Sequence, residues 1–370
     1  MENITKKITF DSAKLPTISV CMIVKNEEKN LPKILGILKD SVEEIIIVDT
    51  GSTDSTVKIA ESFGAKVYHF PWNDNFSDAR NESLKYATMQ NVLWLDGDDN
   101  ISKQDIIKLK FHIQSHPNTA VFLKLLDKRP AREFHSIQLR AFPNNLGIVF
   151  KGRIHEQASF SVEEKNIKYS KADISIIHLG YDTEESIVAK LTRNIILLKK
   201  DLEENPDDFL TNLHTAKTYL GLSKFKEAKP YSKKACDMAL NKQTGLSKES
   251  SFLAVLGEVT ILSTENKTEE ALKLMEKSKP IFPNLKIIDL TLGEMYFRKK
   301  DYMSAYKNLL VMKTGGLDIG LMPVDFEKML KSLKTFLMVS SLAVGDFETA
   351  EQSIRGIISD ADFCIKREDI

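Results

Sequence analysis

The chain has 370 residues, more than one hydrophobic core usually organises, so two domains are expected. Its 52 Lys and Arg residues are balanced by 52 Asp and Glu residues, which leaves no net field and argues against nucleic acid or an anionic membrane as partners. Three widely spaced cysteines, an N-terminus without an apolar leader, and no apolar run of about 20 residues favour a cytoplasmic protein without a membrane span.

Strand-like runs alternate with helical runs from Thr17 to about Tyr181. The run Ile18–Val24 is almost continuously apolar, as expected for a strand covered on both faces. This alternation predicts a mostly parallel sheet with right-handed crossovers. The predicted strands are residues 18–24, 44–49, 65–70 and 92–95, and the predicted helices are residues 26–39, 55–63 and 78–88.

Beyond Ala120 the strand-like runs follow one another without long helices between them. Antiparallel neighbours need only short connections, so the sheet is expected to become mixed in this region. The strands predicted here are residues 121–125, 134–142, 148–151 and 174–178.

Four polar residues, Asp96-Gly97-Asp98-Asp99, follow the buried run at residues 92–95. In an open α/β sheet, ligands bind just past the carboxyl ends of the strands. Two carboxylates two residues apart suit a hard divalent cation that keeps its other positions for phosphate oxygens and water. Asp, Gly and Asn are also ordinary turn residues, so a surface turn is the alternative interpretation.

From residue 183 onward the pattern is almost purely helical, with a bridging helix predicted at residues 183–205, before Pro206. Four short, similar phrases follow, and their alanines are separated by 43, 34 and 45 residues; they are Ala228, Ala271, Ala305 and Ala350. One of these intervals equals the tetratricopeptide period. Stacked repeats of this kind form a concave surface that often binds peptides, and an ordinary helical bundle is the alternative.

Four motifs in the first half resemble those of the inverting family 2 glycosyltransferases, which have the GT-A fold. They lie at residues 18–28, 47–56, 76–81 and 95–99. With residues 152–156, residues 177–181 and the helical tail, the chain is also similar to bacterial peptide S-glycosyltransferases of glycocin pathways and to repeat-bearing protein glycosyltransferases. The resemblance implies an α/β GT-A domain at residues 1–182, a bridging helix at 183–205, and an all-α tetratricopeptide-like domain at 206–370.

The resemblance also implies a UDP-sugar donor and a set of residues that bind it. Asp49 accepts hydrogen bonds from uracil or ribose in this reading, and Arg80 offers a planar set of donors to uracil or phosphate. Alternatively, Arg80 is a solvated helix arginine and Asp54 a helix N-terminal carboxylate. The implied nucleotide-sugar residues are Val24, Asn26, Glu27, Asp49, Ser52, Asp54, Arg80, Asp96, Gly97 and Arg153.

Asp98 is the predicted direct metal ligand, and Asp96 is expected to reach ribose or a metal-bound water. His178 resembles the late histidine that completes the metal site in many GT-A enzymes, although a histidine at a strand end can also be structural. An imidazole ligand is acceptable to Mn²⁺ and poorer for Mg²⁺, so Mn²⁺ is the preferred cofactor.

Inverting transfer needs a base opposite the leaving group, and Glu156 is the candidate that takes the acceptor's proton. Its alternative interpretation is a surface carboxylate at a strand end, in which case Asp99 is the next candidate base. His155 is expected to orient the base or to contact phosphate. Arg140, like Arg153, is a candidate diphosphate partner.

The expected reaction is transfer of a sugar from a UDP-sugar to a polypeptide side chain that the helical tail selects. A second interpretation keeps the chemistry, takes a lipopolysaccharide-core or other cell-surface glycan as acceptor, and assigns the repeats to homodimer formation. A third interpretation is an inactive scaffold whose repeats bind protein partners.

Overall fold

The computed structural model describes residues 15–129, 132–179, 183–242, 244, 248–314 and 326–368. The chain forms two compact units, residues 1–184 and residues 185–370. The expectations for the N-terminal segment before residue 15, and for Gly180 and Tyr181 of the last motif, fall outside the described residues. Among the helices described, none combines the length and the apolar character needed to cross a bilayer.

The N-terminal unit is an α/β structure built on one sheet of eight strands. Its strands are β1 (Ile18–Val24), β2 (Glu44–Asp49), β3 (Lys66–His69), β4 (Asn91–Asp96), β5 (Asp99–Asn100), β6 (Thr119–Arg129), β7 (Arg132–Pro143) and β8 (Lys168–His178). Its helices are α1 (Leu31–Leu38), α2 (Thr56–Ser62), α3 (Phe76–Leu84), α4 (Lys103–Ser115) and α5 (Ser159–Glu164).

The strand order is β3-β2-β1-β4-β7-β6-β8-β5. The first four strands in this order are parallel, whereas β7 runs antiparallel to both β4 and β6, and β8 is parallel to β6. The sheet therefore becomes mixed after β4, as the sequence predicts. Strands β1 and β2 are buried along almost their whole length, which explains their continuous apolar sequences.

The register of the sheet brings the polar strand ends to one edge. Val24 pairs with Asp49, and Ile23 pairs with Asp96, so β1, β2 and β4 end nearly level. Strand β8 runs in the same direction as β4 and ends at His178, which pairs with Asp99 of β5.

Several predicted boundaries differ from the structure. The strand predicted at residues 148–151 is wrong, because only an isolated bridge joins Lys151 to Gln157 there. Helix α1 begins at Leu31, because Asn26 has a left-handed φ of 57° that no right-handed helix accommodates. Helix α3 ends at Leu84, and the sequence did not predict α4, α5 or β5.

The C-terminal unit is all-helical. Its helices are α6 (Glu184–Glu204), α7 (Phe209–Gly221), α8 (Phe225–Leu240), α9 (Lys248–Thr264), α10 (Thr268–Ser278), α11 (Lys286–Arg298), α12 (Tyr302–Leu309), α13 (Phe326–Val344) and α14 (Phe347–Glu368). From α7 onward each helix packs against the next, and α7 also contacts α9 while α11 contacts α13. Such contacts are those of stacked helix pairs, so the predicted fold class, an α/β domain followed by helical repeats, is confirmed.

The four similar phrases lie at the starts of α8, α10, α12 and α14, the second helices of four pairs, and their alanines are fully or almost fully buried. Each alanine lies five residues after a residue with a left-handed φ, in the turn that joins the two helices of its pair. These turn residues are Ser223, Asn266, Lys300 and Gly345. The repeats therefore share a backbone geometry that only two of the four residue types, Asn266 and Gly345, suggest from the sequence.

Candidate active site

The carboxyl end of β4 carries a connected group of charged side chains. Asp99 is fully buried; its Oδ2 accepts hydrogen bonds from Arg140 Nη1 and from the backbone N–H of Asp96, both at 2.9 Å. Its Oδ1 lies 2.9 Å from His178 Nδ1, and Asp98 Oδ1 lies 3.4 Å from the same nitrogen. Asp99 thus links the β4 end to β8.

Asp96, Asp98, Asp99 and His178 each place a ligand atom within 4.8 Å of the other three. Three carboxylates and an imidazole are a donor set that Mn²⁺ accepts. Asp96 and Asp99 are poor ligands in this arrangement, because the oxygens of Asp96 pair with Arg80 and Arg140 and those of Asp99 pair with Arg140 and His178. The structure therefore brings the predicted ligands Asp98 and His178 together.

Two arginines stack on Trp94, whose indole N–H donates to the carbonyl of Leu139 at 2.8 Å. The guanidinium carbon of Arg80 lies 4.3 Å from the centre of the Trp94 ring system, and that of Arg140 lies 3.8 Å from it. Arg140 is 2% exposed, and its Nε has no hydrogen-bond partner in the described part of the chain. Arginine suits such sites because its planar cation stacks on aromatic rings.

Arg80 joins Asp96 to Glu156. Its Nη2 donates to Asp96 Oδ1 at 2.6 Å and its Nε donates to Glu156 Oε1 at 2.5 Å. These bonds occupy donors that the sequence assigned to uracil or phosphate, and the buried position of Arg80 rules out the solvated alternative. Glu156 is likewise no surface carboxylate, since its side chain is only 10% exposed.

Helix α3 holds the loop that carries Glu156. The backbone N–H of Phe76 donates to the carbonyl of Arg153 at 2.8 Å, and Ser77 Oγ donates to the carbonyl of Gly152 at 2.6 Å. The ends of the loop are closed by two backbone hydrogen bonds of 3.0 Å between Lys151 and Gln157. His155, inside this loop, is exposed and has a φ of 55°.

These contacts shift the pKa values of the charged groups. Burial alone would raise the pKa of Asp96, but Arg80 and Arg140 hold it well below its usual range. Burial would lower the pKa of Arg80, yet the charges of Asp96 and Glu156 hold it above its usual value. Burial also lowers the pKa of His178, but its hydrogen bond with Asp99 and the charge of Asp98 outweigh burial and raise that pKa.

Two loops after β1 and β2 form the neighbouring part of this edge. Asn26 donates its backbone N–H to Ser52 Oγ at 2.9 Å, and its side-chain oxygen accepts from the backbone N–H of Thr53 at 2.8 Å. The buried Asp49 carboxylate accepts from the backbone N–H groups of Gly51 and Ser52. The two loops are thus locked to each other beside Asp96.

Glu27 packs against Gly97: a Cβ on Gly97 would lie 2.7 Å from Glu27 Cγ, so a larger residue there would displace the Glu27 side chain. Asp54 has a local role, because its oxygens accept from the backbone N–H and hydroxyl of Thr56 and from the backbone N–H of Glu28. These hydrogen bonds outweigh desolvation and lower the pKa of Asp54. This geometry favours the alternative reading of Asp54 as a helix-terminal carboxylate.

Most predicted site residues therefore lie along one edge of the sheet. Val24 ends β1, buried, with its carbonyl accepting from Thr50 at 3.0 Å. Arg153 Nη1 lies 3.5 Å from the carbonyl of Asp74. The sequence reading missed Trp94 and the central place of Asp99 and Arg140. The signal for Arg140 was a lone charge within a buried apolar strand, since such charges are usually paired.

Comparison with known proteins shows which family this unit resembles. A family model described as glycosyl transferase family 2 matches residues 19–164. The chain is 34% identical over 179 residues to a TPR repeat-containing protein of Synechococcus elongatus, covering 46% of this chain and 44% of that protein. It is 29% identical over 210 residues to the SPbeta prophage-derived glycosyltransferase SunS of Bacillus subtilis, covering 54% of this chain and 48% of that protein.

The chain thus spans about half the length of these curated relatives. Among solved structures, S. aureus TarS 1-349 in complex with UDP aligns with 81% of this chain and 92% of that one, at 16% identity and a TM-score of 0.39. The predicted resemblance to family 2 glycosyltransferases is confirmed for residues 19–164, which match the model of that family.

Proposed function

We propose that this chain transfers a sugar from a UDP-sugar to a polypeptide side chain with inversion, using a divalent metal and a carboxylate base. The family 2 domain supports the reaction class. The observation that carries the proposal is that one arginine joins the carboxylates at the end of β4 to the candidate base: Arg80 contacts both Asp96 and Glu156. An inactive scaffold would not require such a buried, connected charge network.

Asp98 and His178 are the residues proposed to hold the metal, and Asp96 is proposed to reach ribose or a metal-bound water. Asn26, Glu27, Asp49 and Ser52 would line the nucleotide side of the cleft. When bound, a divalent cation would neutralise the charge that develops on the departing diphosphate.

Glu156 is proposed to accept the proton of the acceptor nucleophile as the new bond forms at the anomeric carbon. Arg153 and His155 belong to the same closed loop, which supports the proposal that they approach the donor phosphates.

The acceptor is proposed to bind the C-terminal unit. Within this unit, α6, α7 and α8 form an open cleft of about 430 Å³ whose wall includes Leu202, Pro206, Pro230 and Tyr231 and whose charged residues include Lys199. The walls combine apolar side chains with charged ones, which supports the proposal that the cleft holds a polypeptide segment. The resemblance to peptide S-glycosyltransferases also favours a polypeptide over a glycan acceptor.

Calorimetric titration of UDP tests the donor site. We expect UDP to bind in the presence of Mn²⁺ and to lose most of its affinity when the metal is chelated, because the Asp98 and His178 side chains contact the nucleotide only through the cation. Equal affinity in both conditions would contradict the metal-dependent site.

Intact-mass analysis of candidate polypeptides incubated with the full chain and a UDP-sugar tests the acceptor. We expect a mass increment of one sugar. A Tyr231→Ala variant should lose this modification while retaining UDP-sugar hydrolysis, because the residue lies in the cleft and not in the family 2 domain. Full modification by Tyr231→Ala would show that the cleft does not select the acceptor.

A further inference from the structure

We infer that Arg80 is a positioning residue that fixes Glu156 for proton transfer, with Glu156 Oε2 as the atom that receives the proton. The inference rests on the proposed function, because it assumes that Glu156 is the base. It goes further by assigning a role to Arg80 other than contact with the nucleotide, and by naming the reacting oxygen.

The orientation of Arg80 is fixed from three directions. Its guanidinium stacks on Trp94, with the guanidinium carbon 4.3 Å from the centre of the ring system. Its side chain is 7% exposed. Its Nε and Nη2, which are adjacent nitrogens of one planar group, donate to Glu156 and to Asp96 at 2.5 and 2.6 Å. The guanidinium therefore sets the spacing of two carboxylates from distant parts of the chain. A lysine ammonium does not reproduce this spacing, because it is a single point charge and not a planar group.

The two oxygens of Glu156 are not equivalent. Oε1 accepts from Arg80 Nε, whereas Oε2 has no hydrogen-bond partner among the residues that the structure describes. A proton received on Oε2 leaves the Arg80 contact intact, so the carboxyl group keeps its place during the reaction. In the proposed step the acceptor's proton moves to Oε2, its nucleophile bonds to the anomeric carbon, and UDP leaves with the electron pair of the broken bond.

The helix that carries Arg80 also holds the backbone of the Glu156 loop. Phe76 and Ser77, in the first turn of α3, bind the carbonyls of Arg153 and Gly152, and Arg80 follows one turn later. Side chain and backbone of the loop thus share one rigid support. Such a support would fix the position of the Glu156 carboxylate. Its precision matters because a catalytic group misplaced by about 1 Å can lower the rate by about 10²-fold.

Arg140 provides the matched control. It stacks on the same Trp94 ring system and pairs with Asp96 and Asp99, and the structure gives it no described contact with Glu156. Replacing either arginine by lysine disturbs the same aromatic ring and the same aspartate. Only Arg80→Lys removes the planar pair of donors that holds the base.

The test is a double-variant cycle on the full chain with UDP-glucose, UDP-galactose or UDP-N-acetylglucosamine, whichever is hydrolysed. We expect Arg80→Lys to lower kcat by about 10²-fold with KM for the donor changed only a few-fold. In the Glu156→Gln background the same change should lower kcat by less than about twofold, because residues that act as a unit are non-additive. Arg140→Lys should have equal effects in both backgrounds.

Equal losses from Arg80→Lys in both backgrounds would overturn the inference, because they would show that Arg80 acts independently of Glu156. A fully active Glu156→Gln enzyme would instead contradict the proposed function, so the two failures are distinguishable. If Arg80→Lys does not fold, Trp94→Leu replaces it: this variant keeps both ion pairs and loosens the guanidinium plane. A kcat loss with Trp94→Leu that disappears in the Glu156→Gln background supports the inference, and an unchanged loss contradicts it.

Discussion

In the N-terminal unit, several charged side chains are buried and paired with one another, whereas the ion pairs described in the C-terminal unit lie at the surface. The side chains of Asp99 and Arg140 are 0% and 2% exposed, and their charged atoms lie 2.9 Å apart. The side chains of Lys229 and Glu265 are 42% and 31% exposed, although their charged atoms lie 2.6 Å apart. Exposed pairs contribute little to stability, and buried pairs are costly to break. The N-terminal unit thus buries paired charges where the proposed chemistry takes place, whereas burial raises the pKa of Glu258, a carboxylate of the repeats.

The largest expected effect concerns catalysis by the buried network. Glu156→Gln keeps the shape of the side chain and removes its basicity, so kcat should fall by about 10²–10⁴-fold. UDP affinity should change only a few-fold, which calorimetry checks. A thiol acceptor would reduce this loss, because a thiol is partly ionised near neutral pH and depends less on a base.

Breaking the buried network should also cost more stability than breaking a surface pair. Arg140→Met leaves the Asp99 carboxylate buried without its cation, and we expect the free energy of unfolding to fall by about 3–5 kcal/mol. The matched change Lys229→Met in the repeats should cost less than about 1 kcal/mol. Both tryptophans, Trp72 and Trp94, lie in the N-terminal unit, so tryptophan fluorescence in urea follows the first variant and helical circular dichroism the second.

Equal losses in the two variants would show that the units do not differ in how they use charge.

A second buried carboxylate in the N-terminal unit should make stability depend on pH. Glu44 accepts hydrogen bonds from Ser19, Lys66 and Thr88; burial raises its pKa, but these bonds outweigh burial and lower the pKa to about 2. A carboxylate whose pKa is lower in the folded state stabilises above its unfolded pKa, and that stability is lost as pH falls toward 2. Glu44→Gln should therefore cost about 3 kcal/mol at pH 7 and about half as much at pH 3.

Urea unfolding of both proteins at the two pH values measures this difference. A cost of Glu44→Gln that does not change with pH would mean that Glu44 contributes through packing and not through its charge.

The smallest expected effect tests packing in the repeats. A Cβ at Gly293 would lie 2.5 Å from Leu309 Cγ, whereas at Gly257 the nearest atom is 3.5 Å away. Gly293→Ala should destabilise by about 1–3 kcal/mol through overpacking. Gly257→Ala should be neutral or stabilise by about 0.5–1 kcal/mol, because alanine is the better helix former. Thermal unfolding followed by circular dichroism checks both signs, and a destabilised Gly257→Ala would show that the second repeat is as tightly packed as the third.

The two regions also differ in how far the sequence predicts them. Strands β1 and β2 are predicted to the residue, because continuous apolar runs are read locally. Residues 148–151 look like a strand, but the Asn81 side chain binds the backbone N–H and carbonyl of Phe150 and replaces a neighbouring strand. The pairing of Arg140 with Asp99 joins residues 41 positions apart, so no local pattern reveals it.

In the repeats, the buried alanines are visible in the sequence, whereas the left-handed residues at the turns are only partly so. Asn266 and Gly345 are residue types that favour a left-handed φ, but Lys300 carries no such signal.

The way the loop from Lys151 to Gln157 is held has a consequence for exchanging its side chains between related proteins. Its ends are paired to each other, and Gly152 and Arg153 are tethered to α3 through carbonyl groups that any residue possesses. Positions 153 and 155 therefore form a cassette: their side chains can be grafted from another family member, with a residue that accepts a φ of 55° at position 155, while the buried Ile154 is kept and the backbone still delivers Glu156 to Arg80. Gly152, with its φ of 103°, is the one position of the cassette frame that must remain glycine.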